Sequence, residues 1–201
     1  MTGRRPTTYF TGQGSGMDHT KAERPSGSYA LVTVHDRDKR VEVMQAVTVF
    51  EQVINTSAVD GDYDIVMLVK ELPGAGIDEF VKSRIRTLEG VKGVEICHVE
   101  LTVDLVKTDI SDGNSGFLAG SVAQSYLFLE TDKSHFEDIF GSLSVLSSVS
   151  SCEVASGQYS LVLRLEAGSF NTITKIVNEN IRPLPGVLRA KESRIIKLTG
   201  F

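Results

Sequence analysis

The sequence predicts an α+β fold: two tandem ferredoxin-like βαββαβ units of the dimeric α+β barrel type, with their sheets packed face to face. The order strand, helix, strand, strand, helix, strand occurs twice in 201 residues. The turn glycines Gly61 and Gly157 lie 96 positions apart, and so do Gly90 and Gly186, which both precede a valine. One such sheet leaves a face uncovered, and a second copy in the same chain can cover it.

The first unit is predicted over residues 28–107. The alternating run "YALVTVH" indicates a strand, and a helix is predicted to follow it, with an apolar face formed by Val43, Ala46, Val47 and Phe50. A strand around Val53–Val59 and the run "YDIVMLVK" form a hairpin about the turn "DGDYD". A second helix and a strand from Val91 to about Val106 complete the unit. The apolar face of that helix consists of Ile77, Phe80, Val81, Ile85 and Leu88.

The second unit is predicted over residues 122–201 and repeats this order. Its strands are "VAQSYLFLE", "VSSCEVA", "YSLVLRLE" and "GVLRAKESRIIKL". Thr131 or Asp132 is the predicted cap of its first helix. The helical faces are Phe136, Ile139, Phe140 and Leu143, then Phe170, Ile173, Val177 and Ile181. Residues 1–27 are predicted to be a flexible arm, and residues 108–121 a polar linker. The sequence leaves open whether residues 1–16 are native or vector-derived.

Composition narrows the class of protein. The net charge is −5, and no apolar run is long enough to span a membrane. A negative charge disfavours direct, specific nucleic-acid binding, which requires a clustered positive field. The N-terminus lacks the apolar core of a signal peptide. Cys97 and Cys152 are predicted to be reduced and buried in a cytoplasmic protein, although the sequence leaves a disulfide between them open.

The segment "INTSAVDGDYDIVMLVKELPGAGIDEFVKSRIRTLEGVKGVEICHVEL" resembles the effector-binding (RAM) domain of the Lrp/AsnC family. The resemblance rests on the turn "GDYD", the apolar run Ile65–Val69 and "LEGV" before the last strand. The second unit carries a weaker version, "SGQYSLVLRL" and "LPGVLRA". Fewer than 30 residues, without a helical pattern, precede Tyr29, so the family's helix-turn-helix is not expected here. The resemblance implies a module that senses an amino acid or related metabolite. Such a module would act through oligomerisation or partner contacts, as a homo-oligomer or with other Lrp/AsnC-type proteins.

The resemblance also implies a ligand site at the first hairpin turn. Asp64 would meet an ammonium group, Tyr63 would line the pocket, and backbone N–H groups around Gly61 and Asp62 would meet a carboxylate. The alternative is that these residues only make a good hairpin turn. The corresponding turn of the second unit lacks both acids and is predicted to be a degenerate site. It consists of Gly157, Gln158, Tyr159 and Ser160.

Nothing in the sequence indicates catalytic residues, a metal site or a cofactor. His35, His98 and His135 lack metal-ligand spacing, and Cys97 and His98 point to opposite faces of one strand. Nucleophile-elbow, Walker and dinucleotide-binding motifs are absent from the sequence. Two alternatives to a sensor remain. One is an α+β barrel enzyme acting on a small or haem-like ligand, and the other is a scaffold that pairs with full-length regulators.

Overall fold

The computed structural model describes residues 27–72, 74, 76–103 and 122–198. The predicted linker and all of the predicted arm except Gly27 lie outside these ranges. In the first unit, short 3₁₀ and π-helical turns, Arg37–Lys39 and Val81–Ile85, adjoin the two helices. Its elements are β1 (Gly27–Val34), α1 (Arg40–Val47), β2 (Val53–Asp60), β3 (Ile65–Lys70), α2 (Gly76–Phe80) and β4 (Val91–Val103).

The second unit has the same order of elements. A 3₁₀ turn, Lys133–His135, precedes its first helix, and a π-helical turn, Val177–Ile181, extends its second. Its elements are β5 (Ala123–Thr131), α3 (Phe136–Ser144), β6 (Val149–Ser156), β7 (Leu161–Ala167), α4 (Phe170–Ile176) and β8 (Val187–Ile195). Asp132 is the cap of the first turn and accepts a hydrogen bond from the Ser134 N–H. The predicted α+β fold of two such units is therefore confirmed.

Helix α1 is shorter than the sequence predicts. Helix α1 buries Val43 and Val47 against the sheet, as predicted, and Met44 in addition. It ends at Val47, so Phe50 lies in the following connection rather than on the predicted helical face. From there Phe50 still packs edge-on against Phe80 of α2, with ring centroids 5.6 Å apart. Phe50 therefore still packs against the apolar cluster between the first sheet and its helices.

The eight strands form one closed antiparallel barrel in the order β1-β3-β2-β8-β5-β7-β6-β4. Each unit contributes four adjacent strands, and the two sheets face each other across a common interior. Their edges join where β2 pairs with β8 and β4 pairs with β6. Closure satisfies the backbone groups that the edge strands of two separate sheets would expose.

Three apolar clusters hold this arrangement together. Two lie outside the barrel, between each sheet and its own helices. The third fills the interior and includes Tyr29, Tyr63, Tyr126, Phe128 and Tyr159. Residues of the central strands β1, β3, β5 and β7 alternate between the inner and outer clusters, so both faces of these strands are largely buried.

The two cysteines lie in different clusters. Cys97 is in the barrel interior, and Cys152 packs between the second sheet and its helices. Both are buried free thiols, as predicted. Burial, followed by the nearby charge of Glu153, raises the pKa of each thiol to about 12. Among the described helices, none is long and apolar enough to cross a membrane.

Candidate functional site

The two predicted turns lie at the same end of the barrel, here called the hairpin end. The turn between β2 and β3 carries Tyr63, and the turn between β6 and β7 carries Tyr159. Their hydroxyl oxygens are 2.5 Å apart, so these equivalent tyrosines meet where the two units face each other. Both rings are almost fully buried. The side chains of Tyr63 and Tyr159 thus form one shared wall between the two turns.

A directional hydrogen-bond chain runs through this tyrosine pair. The Tyr63 hydroxyl donates to Oε2 of Glu95 at 2.6 Å, so its oxygen accepts the hydrogen of Tyr159. At the other end, Nζ of Lys191 lies 5.4 Å from the Tyr63 ring centroid and 5.9 Å from that of Tyr159. Lys191 also lies 3.5 Å from Asp62. Glu95 and Lys191 occupy equivalent positions on β4 and β8, so the chain joins opposite charges from the two units.

The environment changes the pKa of two members of this chain, Tyr63 and Lys191. Burial raises the pKa of Tyr63, and its hydrogen bonds to Glu95 and Tyr159 raise it further. The phenol therefore stays protonated near neutral pH. For Lys191, burial lowers the pKa, but the hydrogen bond with Tyr159 and the charges of Asp62 and Glu95 produce a net increase. At neutral pH, the neutral phenol of Tyr63 therefore lies beside the charged ammonium of Lys191.

Asp64 has a local structural partner. Its Oδ2 accepts a hydrogen bond from the N–H of Val34 at 2.9 Å, and its Oδ1 lies 3.7 Å from Nε of Arg37. The residue is 8% exposed. In the second unit, Oγ of Ser160 accepts the N–H of Thr131 at 3.1 Å. Asp64 and Ser160 therefore hold the chain at the end of β1 and β5. Ammonium binding by Asp64 stays a prediction.

Replacing Asp64 with alanine is expected to lower the free energy of unfolding by about 1–3 kcal/mol, because the buried Val34 N–H loses its acceptor. Asp64→Asn keeps an acceptor oxygen and is expected to lose less. Ser160→Ala is expected to resemble Asp64→Ala, since it orphans the Thr131 N–H. Urea unfolding of the three variants measures this order. Equal stability of Asp64→Ala and the wild type would contradict the structural role.

An ion-pair network fills the space beside the first turn. Arg40 is 9% exposed, and its Nη1 donates to the carbonyl of Val59 at 3.1 Å and to Oδ1 of Asp60 at 3.0 Å. Arg37 also approaches Asp60, at 3.5 Å. Gly61 packs closely against β8, because a Cβ there would lie 2.5 Å from the carbonyl oxygen of Glu192. Little room is left beside this turn.

The same place in the second unit is open. Phe136 and Ser156 replace Arg40 and Asp60, and a Cβ on Gly157 would be no closer than 3.4 Å to the carbonyl oxygen of Ile96. The result is a cavity of about 480 Å³, here called the turn cleft. Its lining includes Thr131, Lys133, Phe136, Glu137, Tyr159 and Ser160.

Thr131 is one of the residues that line the turn cleft. The residue is 8% exposed, and its Oγ1 has no hydrogen-bond partner among the described residues. A buried hydroxyl without a partner costs about 1–3 kcal/mol. Tyr159 and Ser160, which the sequence predicts to form a degenerate site, thus line an open cavity. Asp64 instead lies beside the space that the Arg40–Asp60 ion pair fills.

The sequence did not predict Glu95 or Lys191 as site residues, and it predicted Thr131 only as a possible helix cap. A signal for the first two was present, because a glutamate and a lysine stand 96 positions apart in equivalent strands. For metal binding, the described residues contain no group of three His, Cys, Asp or Glu side chains. His98 approaches Asp78 at 3.8 Å near the barrel surface, away from the tyrosine pair.

Comparison with solved structures concerns the fold. The siroheme decarboxylase NirDL aligns with a TM-score of 0.63 at 13% identity, over 85% of this chain and 71% of its own. Its complex with an iron-uroporphyrin III analogue aligns over the same shares, with a TM-score of 0.61 at 15% identity. An anthrone oxidase-like protein aligns with a TM-score of 0.51 at 10% identity, over 88% of this chain and 93% of its own.

E. coli AsnC aligns with a TM-score of 0.34 at 13% identity, over 41% of this chain and 57% of its own. The sequence matches no protein-family model and no curated protein. At these identities the likeness to solved structures concerns architecture alone. The chain thus has a mixed α+β fold of the ferredoxin-like type, which it shares with NirDL.

Proposed function

We propose that the protein is a small-molecule-binding regulatory module of the Lrp/AsnC type, and that its ligand occupies the turn cleft of the second unit. The observation that carries the proposal is the open cavity beside Tyr159, lined by Thr131, whose buried hydroxyl has no hydrogen-bond partner among the described residues. The module would act through contacts with copies of itself or with other Lrp/AsnC-type proteins. The negative net charge supports a role that does not involve direct DNA reading.

The side chains of the turn cleft suit an amino acid or a related metabolite. The ammonium of Lys133 can meet a carboxylate, which the Thr131 hydroxyl can reach by rotating about its Cα–Cβ bond. The carboxylate of Glu137 can meet an ammonium. The ring of Phe136 offers an apolar surface for a side chain. The volume of about 480 Å³ lies in the lower half of the usual range for ligand pockets, roughly 300–1,000 Å³.

Binding explains the hairpin end better than catalysis does. A general base needs a pKa near the working pH. The pKa of Tyr63 is raised, so this phenol is a poor base at neutral pH. Tyr159 donates its hydrogen to Tyr63, which holds the pair in one arrangement. A fixed wall of this kind is suited to shaping a pocket.

A thermal-shift screen with the common amino acids tests the proposal. A ligand at 100 times its dissociation constant should stabilise the fold by about 2.7 kcal/mol. Thr131→Val keeps the shape and removes the hydroxyl, so it is expected to weaken the ligand identified by about 2- to 10-fold. The alternative site at the first turn predicts a different result, namely a loss of about 10- to 100-fold in Asp64→Asn.

A filled turn cleft provides the control. Phe136→Arg combined with Ser156→Asp reproduces the Arg40–Asp60 pair of the first unit, which the fold accommodates there. This double variant is expected to remain folded and to lose the ligand. Calorimetry on it, on Thr131→Val and on Asp64→Asn distinguishes the two turns. Full binding by the double variant would refute a site in the turn cleft.

The second candidate function is tetrapyrrole chemistry in an α+β barrel enzyme. It is supported by the fold likeness to NirDL over 85% of this chain. Titration of the protein with iron-uroporphyrin III, followed by absorbance, tests it. A saturable change in the tetrapyrrole spectrum at equimolar protein would favour this function. No spectral change, together with amino-acid-dependent stabilisation, would favour the sensor.

A further inference from the structure

A second cavity opens at the hairpin end, on the first unit. It has a volume of about 450 Å³ and lies between the end of β1, the start of β4 and the Tyr63 ring. We refer to it as the strand cleft. Its lining includes Thr33, Tyr63, Arg86, Lys92, Gly93 and Glu95. None of the six lines the turn cleft, and the two cavities are separated by the bonded pair Tyr63–Tyr159.

The strand cleft exists because two side chains are small. Thr33 of β1 lies directly opposite Gly93 of β4. At the equivalent place in the second unit, Glu130 of β5 lies opposite Arg189 of β8, and these two form an ion pair at 3.7 Å. Large charged side chains therefore occupy in the second unit the space that is open in the first.

Three charged side chains line the strand cleft at the protein surface, and two of them are held by hydrogen bonds. Nη2 of Arg86 donates to the carbonyl of Val94 at 2.8 Å, which anchors the guanidinium beside the cavity. Lys92 adds a second positive charge. Glu95 supplies a negative charge, and its carboxylate is held in place by the hydroxyl of Tyr63. The cleft carries two cations and one anion, so its complement is a ligand with two anionic groups and one cationic group.

We propose that the strand cleft binds a small molecule with two carboxylates and one ammonium, the chemistry of an acidic amino acid. Arg86 and Lys92 meet the carboxylates, and the Glu95 carboxylate meets the ammonium. Charge-assisted hydrogen bonds of this kind are about twice as strong as neutral ones. This site is separate from the turn cleft and does not depend on whether that cleft binds a ligand.

Calorimetric titration with L-glutamate and L-aspartate tests the proposal. Arg86→Gln is expected to weaken binding by about 10- to 100-fold. Arg182 is the equivalent arginine of the second unit, where the ion pair fills the space, so Arg182→Gln is the matched control and should bind as the wild type does. Glutarate keeps both carboxylates but lacks the ammonium, and Glu95 should repel it, so it should bind more weakly than L-glutamate.

A filled strand cleft provides a second control. Gly93→Arg combined with Thr33→Glu recreates the Arg189–Glu130 pair of the second unit. A Cβ on Gly93 would meet only the Thr33 hydroxyl, at 3.2 Å, and that hydroxyl is replaced in the same variant. The variant should fold and lose L-glutamate binding, while Thr131→Val should keep it. Undiminished binding by the filled variant would overturn the proposal. So would a wild type that binds neither acidic amino acid at concentrations on the order of 10 mM.

Discussion

Replacing Phe128 with alanine is expected to lower the free energy of unfolding by about 3–5 kcal/mol, the usual cost of removing a buried phenylalanine. Phe128 is fully buried in the barrel interior. Its ring centroid lies 5.7 Å from that of Tyr63, 6.2 Å from that of Tyr126 and 5.4 Å from that of Tyr159. The cavity left by alanine would be surrounded by aromatic rings from both units, which cannot all move inward. Chemical denaturation of the variant measures the loss.

Val145→Ala is the control for this prediction. Val145 is 80% exposed, and its truncation is expected to change stability by no more than about 0.5 kcal/mol. A loss below about 1.5 kcal/mol in Phe128→Ala would contradict a tightly packed interior, because even truncation of a buried leucine to alanine usually costs about 2–5 kcal/mol. The prediction therefore tests whether the two sheets enclose a common core.

Alkaline pH is expected to destabilise the protein strongly through its two buried thiols. The pKa of Cys97 and that of Cys152 are each raised to about 12 in the folded protein, from an ordinary value of 9.0. Between these values the unfolded chain has released thiol protons that the folded chain retains. The free energy of unfolding therefore falls as the pH rises, by up to about 1.4 kcal/mol per pH unit for each thiol. Below about pH 8 the thiols contribute no pH dependence.

Urea unfolding at about pH 8, 9, 10 and 11 measures this slope. The double variant Cys97→Ala, Cys152→Ala removes both thiols and is expected to show a flatter dependence between pH 9 and 10. Above pH 10 the raised pKa of Tyr63 adds a decline of the same sign, which the double variant retains. An identical slope in the double variant and the wild type would show that other groups carry the alkaline transition.

Much of the fold is predictable from local sequence. The turn glycines Gly61 and Gly157 mark the two hairpins, and the apolar periodicity of residues such as Ile139 and Leu143 marks the buried helix face. The 96-residue spacing identifies the second unit before any contact is known. These features depend on backbone preferences and on the periods of helix and strand, which extend over only a few residues.

The site was less predictable because its groups are far apart in the chain. Asp64 was a reasonable choice for an ammonium ligand, yet its partners, Val34 and Arg37, are set by how β1 lies beside the turn. Ser160, which lacks a charge, lines an open cavity because Phe136 stands where the first unit has Arg40. Whether the space beside a turn is filled or open therefore depends on a side chain of the neighbouring helix, Arg40 of α1 or Phe136 of α3.

The sequence by itself determined two βαββαβ units, their order and their turns, because each follows from local periodicity and the repeat spacing. The tertiary structure alone decided which sheet edges pair to close the predicted barrel, namely β2 with β8 and β4 with β6. It also decided that Glu95, Tyr63, Tyr159 and Lys191 meet. Contacts between residues nearly 100 positions apart depend on the register in which the two sheets face each other, and no local pattern encodes that register.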